Sequence, residues 1–145
     1  MQFDLDSKNY ELLPDDVTYT GKAILTDIFL KGWSTERSYF ALKFIIKDTY
    51  YTHQEWTINQ LKDPEFATNC ANNLMKAIRD NCSEDYTKSL LEKYKSIESP
   101  VDVCFDLIHQ IRKDKLKLEI PIKIHSLNEF RQIDLYPACC QGDAT

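Results

Sequence analysis

A chain of 145 residues, 43% hydrophobic and 28% charged, is sized and composed for one domain with its own core, which excludes a low-complexity or disordered chain. Its three glycines are too few for a glycine-rich phosphate loop, and its net charge of −5 excludes the uniformly basic surface that wraps duplex DNA. Five cysteines without a C-x-x-C pair, no positive and apolar leader after Met1, and no membrane-length apolar run lead us to expect a soluble, cytoplasmic protein with reduced thiols.

Pro14-Asp15-Asp16 marks a turn, and a first strand is expected from Val17 to Leu30. Its alternation changes apolar side midway, which predicts a long, bent strand with Gly21 as the bulge or kink. A polar loop from Lys31 to Ser38 follows. Tyr39 to Lys47 then alternates cleanly, with Phe40, Leu42, Phe44 and Ile46 on one face and Tyr39, Lys43 and Lys47 on the other. Asp48-Thr49 turns the chain into a third strand from Tyr50 to Ile58, in which Trp56 belongs to the core and Tyr51 and His53 share the opposite face.

Asp63-Pro64-Glu65 opens a helix that runs to Asn81, and Ser83-Glu84-Asp85 opens a shorter one that stops before Ser99-Pro100. Val101, Val103, Phe105, Leu107 and His109 alternate again, which predicts a fourth strand to Ile111. Arg112 to Lys115 would then turn it into a fifth strand from Leu116 to Ile124. A weaker pattern around Phe130, Ile133 and Leu135 leaves room for one more edge strand.

Three strands, a helical insertion and two further strands predict a mainly β, α+β fold. The expected architecture is an OB-fold-like five-stranded barrel with helices between strands three and four. A single domain over residues 1–138 and a flexible tail over 139–145 complete the expectation.

Residues 10–19, 39–48 and 130–138 also resemble segments of a family of small phage-encoded proteins. That family is found near recombination and replication genes and is similar to single-stranded-DNA-binding proteins. The chain departs from it at Asp15-Asp16, where the family's turn carries glycine. The resemblance implies a viral protein acting on single-stranded DNA in the cytoplasm of a host cell. It supplies no catalytic residues.

An OB-type barrel takes a nucleic-acid strand across its second and third strands, between the loop joining strands one and two and the loop joining strands four and five. Lys31, Trp33 and Arg37 fall in the first of these loops, Tyr39, Lys43 and Lys47 on the second strand's outer face, and Tyr51 on the third strand. Arg112, Lys113 and Lys115 are expected in the loop between strands four and five. Cations of this kind track phosphates, and exposed rings offer any base a stacking face. His109 and His125 lack partners at ligand spacing, Cys139-Cys140 is a vicinal pair, and no nucleophile sits in a recognisable elbow. Neither a cofactor, a metal nor an enzymatic activity is therefore expected. Two readings remain: a single-stranded-DNA-binding protein of replication or recombination, or an acidic protein-binding inhibitor of a host defence system of the anti-CRISPR or anti-restriction type. Replication or recombination proteins, a host defence protein or a second copy of the chain are the partners these readings allow.

Overall fold

The computed structural model describes residues 1–6, 17–32, 34, 37–127 and 130–137. The Pro14-Asp15-Asp16 turn, Trp33 and the expected tail lie outside them. Strands β1 (Val17–Lys31), β2 (Tyr39–Ile46) and β3 (Tyr50–Thr57) precede helices α1 (Ile58–Leu61), α2 (Pro64–Asn81), α3 (Glu84–Lys95) and α4 (Pro100–Lys113). Strands β4 (Leu118–Leu127) and β5 (Phe130–Leu135) follow. The five strands form one antiparallel sheet in the order β3-β2-β1-β4-β5. The sheet curls into a half-barrel, because Gln54 Oε1 on β3 accepts the Ile133 amide of β5 at 2.7 Å and brings the two outer strands together. With helices between β3 and β4, this is the OB-like α+β fold expected from the element order.

β1 serves both halves of the sheet. Its first part pairs with β4 and its second with β2, and the two overlap at Ile24 and Leu25. The register shift against β2 falls between Leu25 and Asp27, which lets Leu25 and Ile28 both point into the core. Gly21 is not the bulge: it pairs regularly with Ile122. The Tyr19 ring folds over it instead, so that a Cβ at Gly21 would lie 2.6 Å from Tyr19 Oη, which donates to the Lys22 carbonyl at 2.9 Å.

The expected strand from Val101 to Ile111 is a helix, α4. Ser99 caps it, its hydroxyl accepting from the Asp102 amide, and Pro100 takes the first helical position. Val103, Cys104, Leu107, Ile108 and Ile111 form its buried stripe. It ends in a Schellman turn: the Leu116 amide reaches the Ile111 carbonyl, the Lys115 amide reaches that of Arg112, and Lys115 adopts φ 51°. The fifth strand expected from Leu116 is therefore β4, and the weak pattern after it is β5.

The remaining helices pack where their caps place them. Thr57 and Gln60 make a reciprocal capping box that turns β3 into α1. Ser83 caps α3. Cys70, Ala71, Leu74 and Ile78 of α2 join α4 and the inner faces of the strands in one core. Trp56 lies in that core, its ring edge-on to Phe66. Asn81, at the end of α2, acts on β4 as a strand partner would, accepting from the Glu119 amide at 3.0 Å and donating to its carbonyl at 2.9 Å.

Candidate nucleic-acid interface

Because β2 turns Phe40, Leu42, Phe44 and Ile46 inward, it must present Tyr39, Lys43 and Ile45 on the outer face. The registers fix what stands beside them. Lys31, Tyr39 and Thr57 form one row across β1, β2 and β3, Phe29, Ala41 and Glu55 the next, and Asp27, Lys43 and His53 the third. Ile45 and Tyr51 pair beyond these. Six residues of strand separate Tyr39 from Ile45, so the rings of Tyr39 and Tyr51 bound a face about 20 Å long.

Exposure singles out the rings available for contact. Tyr51 is 68% exposed and Phe29 38%, both high for aromatic side chains. The Lys43 ammonium stands 5.0 Å from the centroid of the Phe29 ring, which holds ring and cation side by side. Phe29 carried no role in the sequence reading, since its place on the outer face depends on the bulge between Leu25 and Asp27. The face is not purely basic: Asp27 and Glu55 alternate with the cations, and His53 stands 3.9 Å from Glu55.

Of the other expected residues, Lys31 is exposed at the end of β1 and Arg37 is exposed just before β2. Gly32, at φ 116°, makes the turn between them, and a Cβ there would press on the Arg37 carbonyl at 2.7 Å. Lys47 lies in the β2–β3 hairpin turn, where it and Asp48 adopt φ 52° and 61° and the Thr49 amide bonds the Ile46 carbonyl.

Arg112, Lys113 and Lys115 do not lie between β4 and β5. They occupy the last turn of α4 and the residues after it, where they line a cleft of about 760 Å³ with Lys117, Asp27 and Phe29. Asp114 anchors this corner by accepting from Tyr86 Oη and Gln110 Nε2, both at 2.6 Å. Those bonds hold its carboxyl below the usual range, and burial together with the same bond pushes the Tyr86 hydroxyl up to about 12.

Among the described residues, no three His, Cys, Asp or Glu side chains converge as metal ligands, and no helix is long and apolar enough to cross a membrane. Asp102 and Asp106, which fall within the expected fourth strand, are on α4. Asp106 accepts from Tyr94 Oη at 2.6 Å and pairs with Lys93 at 2.9 Å, which ties α4 to α3. Compared with protein-family models, curated proteins and solved structures, the chain matches none.

Proposed function

We propose that this protein binds single-stranded nucleic acid, single-stranded DNA in the first place, across the outer face of β1, β2 and β3. One observation carries the reading: exposed rings at Phe29 and Tyr51 and the half-buried ring of Tyr39 are interleaved with Lys31 and Lys43 on one face of an OB-like sheet. Such a face serves unpaired bases, whose flat sides stack on rings whatever their identity, while ammonium groups meet the phosphates between them. Duplex DNA hides those flat sides and presents a denser line of charge, and the acidic total and interleaved Asp27 and Glu55 oppose it. The resemblance to phage proteins near replication and recombination genes supports strands exposed in those processes as the natural ligand.

Fluorescence anisotropy with a labelled oligo-dT at low salt tests the reading, with an unlabelled duplex as competitor. Binding to the oligonucleotide that the duplex displaces only weakly is the expected result. No binding at low salt, where the electrostatic contribution is largest, would leave the protein-inhibitor reading in its place.

A further inference from the structure

Phe29 belongs to two surfaces. On the outer face it stands in the row of Ala41 and Glu55, with the Lys43 ammonium 5.0 Å from its ring centroid. With Asp27 it also forms the β1 side of the cleft whose other side carries Arg112, Lys113, Lys115 and Lys117. The cleft opens there because β4 pairs with β1 only as far as Leu25, opposite Leu118, and the residues before Leu118 lead back to the end of α4. Crossing the outer face from β3 to β1 takes two strand spacings, about 10 Å, and the cleft lies past Phe29 on the side of β1 away from β2.

Charge in the cleft is one-sided. The run from Arg112 to Lys117 holds four cations and one acid, and the acid is engaged elsewhere: Asp114 accepts from Tyr86 Oη and Gln110 Nε2, both at 2.6 Å. On the β1 side, the Asp27 carboxylate accepts the Ile28 amide at 2.8 Å. Lys117 Nζ donates to the Thr26 carbonyl at 3.2 Å, which fixes one cation against β1. Among the described residues, Arg112, Lys113 and Lys115 make no salt bridge, so their charge is available to an anion.

Building on the nucleic-acid reading above, we infer that the bound single strand does not end on the outer face. It crosses the sheet from β3 to β1, turns over Phe29 and lays its next phosphates in this cleft, against Arg112, Lys113, Lys115 and Lys117. Phe29 then stacks the base at the crossing between the two segments, with Lys43 before it and the cleft cations after it. An acidic protein segment would use the same cations but has no use for the row of rings that leads to them. Outer face and cleft together make a site longer than the outer face alone, within the ~4–16 nucleotides that an OB-type domain covers.

The test is anisotropy of two labelled strands over a range of salt: a dT pentamer, long enough only for the outer face, and a dT dodecamer. The dodecamer should bind more tightly, with a log–log salt slope steeper than the pentamer's by about 1.4 to 2, from two to three further phosphates. The double variant Arg112→Gln, Lys113→Gln should weaken the dodecamer at least about tenfold at low salt and remove most of the extra slope. It should leave the pentamer unchanged, which also shows that the variant folds. Tyr51→Ala should weaken both lengths. A dodecamer that gains affinity without a steeper slope gains only from its extra registers, and that result overturns the path into the cleft while the outer face stands. A double variant that weakens both lengths alike overturns it as well, since the cations then act through their general field. A capped octaglutamate that displaces the labelled dodecamer as strongly as unlabelled dodecamer does would overturn it by giving the cleft to an acidic protein segment. Failure of both strands to bind would overturn the outer-face reading, and this path with it.

Discussion

Lys43 Nζ stands 5.0 Å from the Phe29 ring centroid, joining an exposed ring on β1 to a cation on β2 in adjacent rows of the outer face. The pair lets stacking and charge be separated by substitution. Phe29→Ala removes a ring and no charge, and is expected to weaken oligo-dT binding by ~1–3 kcal/mol with its salt dependence unchanged. Isothermal titration at two salt concentrations checks both halves of that statement.

Helix α4 depends on its two ends, because its interior is rich in β-branched residues. Ser99→Ala removes the hydroxyl that accepts the Asp102 amide and should lower stability by about 1 kcal/mol. Lys115→Gly should act in the opposite direction, by about 1 kcal/mol, since glycine adopts the left-handed conformation at φ 51° without strain. Urea denaturation midpoints for the two variants should therefore fall on either side of the wild type.

Asp106 joins α4 to α3 through Tyr94, whose ring is buried and whose hydroxyl donates to it. Burial opposes the ionised carboxylate, but the bonds from Tyr94 and Lys93 outweigh it and hold the acid below its usual range. A depressed carboxyl contributes stability that is present above its unfolded value of about 3.9 and lost as pH falls through the folded value. Asp106→Ala, which leaves the Tyr94 hydroxyl without its acceptor, is expected to cost about 1–3 kcal/mol at neutral pH. The difference from wild type should shrink below about pH 4, as measured by chemical denaturation across acid pH.

The thiols of Cys70 and Cys104 face each other between α2 and α4, fully out of water. The bond between them and burial both push the Cys70 thiol well above its ordinary range, whereas Cys82 is half-buried and raised by burial and by Asp114. Alkylation of the native protein followed by mass spectrometry should label Cys82 slowly, and Cys70 and Cys104 only after unfolding. Rapid native labelling at Cys70 would mean that α2 and α4 separate readily.

Much of this was legible in the chain because the outer strands alternate cleanly. Phe40, Leu42, Phe44 and Ile46 point inward as their period of two requires, and Tyr51 and Trp56 fall on opposite faces of β3. The misreading of residues 101–111 has a physical origin. Val101, Val103, Phe105 and Leu107 alternate along the chain, yet the buried set of Val103, Cys104, Leu107, Ile108 and Ile111 also fits a helical stripe. Ser99-Pro100 reads from the sequence as the end of one helix but starts the next, and Lys115 supplies a helix stop without the usual glycine. That shift moved Arg112, Lys113 and Lys115 from an expected hairpin loop to the cleft beside β1. Phe29 was hidden for a related reason. A bulge in the register between Leu25 and Asp27 decides which way it faces, and no residue type there announces one.

The central claim is that the outer face of β1, β2 and β3 holds a single strand by stacking plus a few phosphate contacts, and a salt titration of oligo-dT affinity tests it most directly. With Lys31, Arg37, Lys43 and Lys47 as the available cations, about three to four phosphate contacts predict a log–log slope of roughly −2 to −3. Lys43→Ala should reduce that slope by about 0.7, and Tyr51→Ala should lower affinity at every salt concentration without changing it. A wild-type protein that shows no binding at low salt, or one whose slope and affinity are indifferent to both substitutions, would contradict the account.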